Sequence, residues 1–206
     1  MIYHKIDSVY KRDPNNNYKT FLVGEWTRPE FEYLACLEWE WTEKIDGTNI
    51  RIGIGADQHT IGGRTQNAQI PTFLVPVLAE IGMRAVAAEL EGLTLCGEGY
   101  GPKIQNGGDY RKDHSFILFD VFTDAGMALT RRDVEDIAAK VGIDVVPVVG
   151  VGNLYQAIRE VMGGFDSVVA RSPLMAEGLV VRPATELRCR NGGRVITKIK
   201  TRDFGG

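Results

Sequence analysis

The sequence predicts an α+β fold with mostly antiparallel sheet. Short apolar or β-branched runs follow one another without regular alternation with helices. Near the end, "ELRCR" and "RVITKIK" flank Asn191-Gly192-Gly193, a hairpin signal because Asn and Gly accept the positive φ of tight turns. Helical spacing is confined to a few segments, which are placed as helices flanking the sheets.

Taken in order, "EWEWTEK" (38–44) is a strand-like run that delivers Lys44 to an Asp46-Gly47 turn. Ile50, Ile52 and Ile54 alternate with Arg51 and Gly53, the period of a strand. Residues 72–91 carry Phe73, Leu74, Val77, Leu78, Ile81 and Val86 at helical spacing, with Pro76 limiting the first turns. "LTLCGE" (93–98), "SFILFDVF" (115–122) and "GLVVR" (178–182) are further strands. Thr130 and Asp133 cap a helix bearing Val134, Ile137 and Val141 that Gly142 closes, and a third helix follows Asn153.

Two hundred and six residues with no repeat, low-complexity tract or Pro/Gly/Ser linker suit a single domain. No apolar run approaches the ~20 residues of a membrane span, and "MIYHKIDSVYKRD" lacks the apolar core of a signal peptide. A cytoplasmic protein without a membrane partner is expected. Cys36, Cys96 and Cys189 are odd in number and never paired as CxxC, against disulfides and zinc. His4, His59 and His114 are equally scattered, so spacing suggests neither a histidine metal site nor a Ser-His-Asp triad. The net charge of −3 argues against a nucleic-acid partner, but Arg188, Arg190, Arg194, Lys198, Lys200 and Arg202 form a stretch without acids. A solvated face and a local anion site both explain it.

Lysine is a nucleophile only as the free amine, and its ordinary pKa of about 10.4 leaves little of that form at neutral pH. Lys198 and Lys200, two residues apart on a strand, point to one face and would disfavour the ammonium of a neighbouring Lys44. Alone, "KIDG" is a weak signal and reads as a hairpin turn with a solvated lysine. Other stretches add to it: "GGRTQNA" (62–68) presents Arg64 after a glycine turn, and "CGEGYG" (96–101) sets Glu98 among glycines that allow close backbone approach. "LFDV" (118–121) puts an aromatic beside an acid, and "AEGLVVR" (176–182) opens with Glu177. The Walker "GxxxxGK" and dinucleotide "GxGxxG" patterns are absent, which disfavours P-loop and Rossmann enzymes.

The ordered set Lys44-x-Asp46-Gly47, Arg64, Gly97-Glu98, Phe119-Asp120, Glu177-Gly178 and Lys198-x-Lys200 resembles the covalent nucleotidyltransferases, which include DNA ligases, RNA ligases and mRNA capping enzymes. "TEKIDGTNIRI", "GEGYGPKIQNGG" and "ITKIKTRDF" are most similar to the phage nick-sealing RNA ligases of the RNA ligase 2 type. The resemblance implies an ATP-grasp-like adenylation domain and an ATP-dependent RNA ligase. Lys44 would take AMP from ATP, pass it to a 5′-phosphate, and a 3′-hydroxyl would then expel it. Mg²⁺ or Mn²⁺ is implied, with nicked RNA or RNA/DNA duplex ends as the nucleic-acid partner.

By the same resemblance, Glu98 would bind the ribose and Phe119 would stack on adenine, with Phe116 or Phe122 as substitutes if the register differs. Glu43 would face the adenine edge, Arg64 would contact ribose or phosphate, and Asn49 the sugar-phosphate of the nick. Glu177 would help hold the metal, Lys198 and Lys200 would bind the α-phosphate and leaving group, and Asp120 would be a supporting acid or a strand-end cap. Only "TRDFGG" follows Lys200, so neither a C-terminal OB-fold nor a helical domain is expected in this chain, and a partner protein or the N-terminal 43 residues would supply the missing grip. A minimal DNA ligase, a GTP-using capping-type transferase and a non-catalytic nucleotide- or end-binding module stay open as alternatives.

Overall fold

The computed structural model describes residues 3–204. In chain order the strands are β1 (Asp7–Ser8), β2 (Tyr10–Arg12), β3 (Phe21–Trp26), β4 (Trp39–Glu43), β5 (Thr48–Ile54), β6 (His59–Gly63), β7 (Leu93–Tyr100), β8 (Ser115–Thr123), β9 (Asp144–Val145), β10 (Val148–Gly152), β11 (Gly178–Pro183) and β12 (Thr197–Lys200). The helices are α1 (Pro29–Tyr33), α2 (Val75–Ala87), α3 (Gly107–Tyr110), α4 (Arg131–Val141) and α5 (Leu154–Gly163). The expected α+β class with mostly antiparallel sheet is what forms. Among the described residues no helix is long and apolar enough to cross a membrane.

The chain divides into two compact units. The first comprises Asp46–Val146 with the residues up to His4, and the second Lys5–Ile45 with the chain from Pro147. No linker composition marks the division, because the chain passes from one unit to the other between adjacent residues, at His4/Lys5, at Ile45/Asp46 and at Val146/Pro147.

In the first unit the sheet order is β6-β5-β7-β8-β9, antiparallel except for the β8–β9 pair. Ile50, Ile52, Ile54, Leu95 and Leu118 on the strands pack with Leu78 and Ile81 of α2 and Val134 and Ile137 of α4. Pro76 lies in the first turn of α2, where its missing N–H is one that a helix start leaves unused, so the helix begins there unbroken. Thr130 and Asp133 form the expected capping box on α4, and Gly142 ends it at φ 68°. Between β7 and β8 the register steps from Cys96↔Asp120 to Gly97↔Leu118, a bulge that leaves Phe119 as the extra residue. Core-facing side chains on β8 therefore run Phe116, Leu118, then Val121.

In the second unit the sheet order is β1-β12-β11-β4-β10, with β1–β12 the parallel pair; β2 and β3 form a separate ribbon. Helix α5, capped by Asn153 and Gln156, contributes Leu154, Ala157, Ile158 and Val161 to a core with Trp39, Trp41, Leu179, Val181 and Ile199. Each buried indole finds an acceptor: Trp39 Nε1 donates to the Leu34 carbonyl (2.8 Å) and Trp41 Nε1 to Glu160 (3.0 Å). With one side chain per face in turn, the alternate residues Thr42, Val180 and Lys198 fall on the face away from this core.

The hairpin expected around 191–193 forms only as its turn. Gly192 takes φ 82° and Cys189 N–H bonds Gly193 O at 2.8 Å, but the flanks are reduced to a single Arg188↔Arg194 bridge. The flanking side chains are engaged locally, Arg194 with Glu186 (2.7 Å) and Cys189 with Arg28 and Glu30, and regular strand starts only at Thr197.

Thr130→Ala removes the acceptor for the Asp133 N–H and should lower unfolding free energy by about 1 kcal/mol, seen as a lower denaturant midpoint at unchanged slope.

Candidate active site

Lys44 follows the last residue of β4, and its backbone N–H donates to Gly178 O at 2.9 Å, extending the β4–β11 pairing by one rung. Glu177 stands immediately before β11, and the β11–β12 register sets Gly178 opposite Lys200 and Val180 opposite Lys198. The Glu177 carboxylate thereby lies between two ammonium groups: Lys44 Nζ is 2.5 Å from Oε2 and Lys200 Nζ 2.5 Å from Oε1. All three side chains are mostly buried, 21%, 14% and 12% exposed for Lys44, Lys200 and Glu177, so the charges interact through less water than a surface pair would. Gly178 makes the approach possible. It sits at φ 149°, and a Cβ there would run into Ile199 O and Lys200 Cα.

Lys198 is half-buried, and its pKa is brought down from 10.5 to about 8, first by burial and then by the positive charges of Lys200, Lys44, Lys5 and Arg12. Of these, Arg12 is itself paired with Asp203 at 2.6 Å. The sequence reading looks for cations pressing on Lys44. In the structure Lys44 has a carboxylate partner, and the amine pressed by its neighbours is Lys198.

Glu43 shares the β4 face of Trp39 and Trp41 and is 1% exposed. Its carboxylate accepts from Ser167 Oγ (2.5 Å), Val168 N (2.9 Å) and Val169 N (3.3 Å). Burial raises its pKa against the opposing pull of these three donors. Expected at the adenine edge, its side chain is instead occupied by protein donors on both oxygens. Ser167 carried no signal in the sequence, because it sits in an irregular stretch, "GGFDSVVARS", without periodicity.

The other expected site residues belong to the first unit. Asn49 and Glu98 face each other across β5 and β7, and Asn49 Oδ1 is buried with no hydrogen-bond partner. Gly47 is needed here for room: a Cβ would overlap Gly99 O and come within 2.8 Å of Glu98 Cγ. Asp46 accepts from Asn106 Nδ2 at 2.7 Å. Of the three candidate aromatics, Phe116 and Phe122 are buried, whereas Phe119 is half-buried on the bulge with Tyr3 edge-on to it at 5.2 Å. Asp120 is 3% exposed in mid-strand and accepts from the Tyr3 hydroxyl at 2.6 Å. Arg64 is exposed on the bend after β6.

Among the described residues no group of three or more His, Cys, Asp or Glu side chains could hold a metal ion. One carboxylate, with each oxygen on an ammonium, does not build a resident cage.

A strand-borne lysine beside a Glu-Gly step and a Lys-x-Lys strand is the arrangement of a nucleotidyltransferase, and comparison with known proteins places it. A profile of the RNA ligase family matches residues 37–200, and the chain belongs to that family. Sequence comparison with curated proteins gives no match. Among solved structures, an apo mutant of Naegleria gruberi RNA ligase superposes with a TM-score of 0.70 at 18% identity, covering 98% of this chain and 56% of that one. The same protein with PPi gives 0.69 at 19% identity, and a mutant with ATP and Mn gives 0.69 at 18%, each covering 97% and 56% of the two chains. The fold is thus that of an RNA ligase, and this chain spans just over half the length of the Naegleria protein.

A depressed lysine pKa contributes stability that is present above the unfolded pKa of 10.5 and lost as pH falls through about 8. Lys198→Met lacks that loss. Its melting temperature should exceed that of the wild type at about pH 7 and converge on it by about pH 10, checked by thermal unfolding across that range.

Proposed function

We propose that the chain is an ATP-dependent RNA ligase that joins 3′-hydroxyl and 5′-phosphate ends through AMP held covalently on Lys44. The observation that carries this reading is the Lys44 ammonium on Glu177, with Lys200 on the other oxygen of the same carboxylate. Family membership supports RNA as the substrate class. ATP and Mn, present with the similar Naegleria protein, support the nucleotide and a divalent cation.

In the first step the Lys44 ammonium gives one proton to solvent, and the lone pair so freed on Nζ attacks the α-phosphorus of ATP. A P–N bond forms, the P–O bond to pyrophosphate breaks, and the second proton on the nitrogen passes to an acceptor. Glu177 Oε2 stands at hydrogen-bond distance for that transfer. Lys198 and Lys200 bring positive charge to oxygens that gain negative charge in the in-line displacement. Next, a 5′-phosphate oxygen attacks the same phosphorus, the P–N bond breaks as Nζ takes up a proton, and Lys44 leaves as the amine. The 3′-hydroxyl then attacks the 5′-phosphorus and gives its proton to solvent, a phosphodiester forms, and AMP departs with its bonding electrons. A divalent cation, Mg²⁺ or Mn²⁺, held with the help of Glu177, would offset the negative charge of the nucleotide phosphates. In the first unit the reading assigns ribose to Glu98, the adenine stack to Phe119, the nick's sugar-phosphate to Asn49 and a ribose or phosphate contact to Arg64. The unpartnered Asn49 Oδ1 and the partial exposure of Phe119 support these roles.

Incubation with α-labelled ATP and Mg²⁺ or Mn²⁺ should attach label to the protein, and Lys44→Ala should abolish it. Lys200→Ala should slow labelling by roughly 100-fold. Labelled GTP should give none, and labelling by GTP in place of ATP would sink the ligase reading in favour of a capping-type transferase. On nicked duplexes, strands with ribonucleotides at the 3′-hydroxyl end should be sealed faster than all-DNA nicks.

A further inference from the structure

The carboxylate of Glu43, one residue before Lys44, closes a turn over 167–170. Ser167 Oγ donates to it, Val168 and Val169 N–H donate to it, and Ser167 Oγ in turn accepts from Val169 N (3.2 Å) and Ala170 N (3.0 Å). This turn is one end of a hairpin loop spanning 164–177. The loop is pinched by an Asp166↔Met175 bridge, by Ser167 N to Leu174 O (2.7 Å) and by Ala176 N to Phe165 O (2.9 Å). Its returning limb runs directly into Glu177, whose backbone carbonyl accepts from Thr201 N at 3.0 Å. At the base of the loop Phe165 packs against the core and Ala176 is buried, whereas Val168 and Met175 further along are 62% and 64% exposed. Beyond that apolar base, a charged acceptor that collects three donors ties the outer part of the loop to β4.

We propose that Glu43 is a positioning residue: it latches the 164–177 loop to the end of β4 and so sets the Glu177 carboxylate between Lys44 and Lys200. This rests on the reading of Lys44 as the nucleophile, and it replaces the adenine-edge role that the resemblance assigns to Glu43. Neighbours in sequence, Glu43 and Lys44 leave the strand on opposite faces. Lys44 presents its amine to Glu177, and Glu43 holds the loop that delivers Glu177.

Glu43→Gln keeps the size of the side chain but turns an amide NH₂ toward the donors, and Ser167→Ala cuts the same tie from the loop side. Both variants should speed amide exchange of Val168 and Val169 by about tenfold or more. Both should lower kcat for Lys44 labelling by roughly 10- to 100-fold with KM for ATP little changed, because a displaced Glu177 misplaces the reacting amine. The double variant should be no worse than the poorer single one. A raised KM for ATP in Glu43→Gln with Ser167→Ala silent would restore the adenine-edge role and overturn the latch. Should the wild type attach no label, the ligase reading fails. Amide exchange then decides the latch alone, which is lost if Val168 and Val169 exchange as fast in the wild type as in Glu43→Gln.

Discussion

Two ammonium groups on one carboxylate form the constraint around which the second unit is organised. Lys44, Glu177 and Lys200 come from three strand ends, and each is set by pairing: Lys44 by its rung to Gly178, Lys200 by its register opposite Gly178, Glu177 by its place before that glycine. Removing one member of a mostly buried charge group leaves the rest uncompensated, which costs more than the intact group contributes. The trio is better understood as a device for orientation than for stability. With a single negative charge against Lys44, Lys200 and the nearby Lys198, the cluster carries an excess of positive charge suited to phosphate oxygens.

Small residues let this arrangement close. Gly178 gives way to Ile199 and Lys200, and in the first unit Gly47 gives way to Gly99 and the Glu98 stem. The Lys-x-Asp-Gly motif divides its labour accordingly. Lys44 belongs to the second unit, while Asp46 and Gly47 hold positions in the first, Asp46 on Asn106 and Gly47 against β7. A motif four residues long thus serves two cores.

Much of this was legible in the residues. The strands at 48–54, 93–100, 115–123 and 178–183 show as apolar or β-branched runs, and the helices at 131–141 and 154–163 show through Thr130-Asp133 and Asn153 as caps. Lys198 and Lys200 on one strand face followed from the period of two. The short strands β1, β2, β6 and β10 were not legible. They are two to five residues long and polar or glycine-rich; β2 and β6 pair with a neighbouring strand but carry no apolar run, and β1 and β10 are held by strands distant in sequence. The fate of Glu43 was hidden for the same reason, since its donors lie more than 120 residues away in a stretch with no pattern. The division into two units could not be seen because composition does not change where the chain crosses.

The extra residue on β8 makes that strand count its own length. Upstream of Phe119 the even positions meet the helices, downstream the odd ones do, and Phe119 and Asp120 both reach Tyr3. Loss of one residue here would restore unbroken pairing and at the same stroke turn half the strand over, exchanging core side chains with those of the opposite face, where Ile117, Asp120 and Phe122 lie buried. Insertions and deletions that the surrounding loops absorb are therefore closed to this strand. Its nine residues behave as a key with one permitted cut.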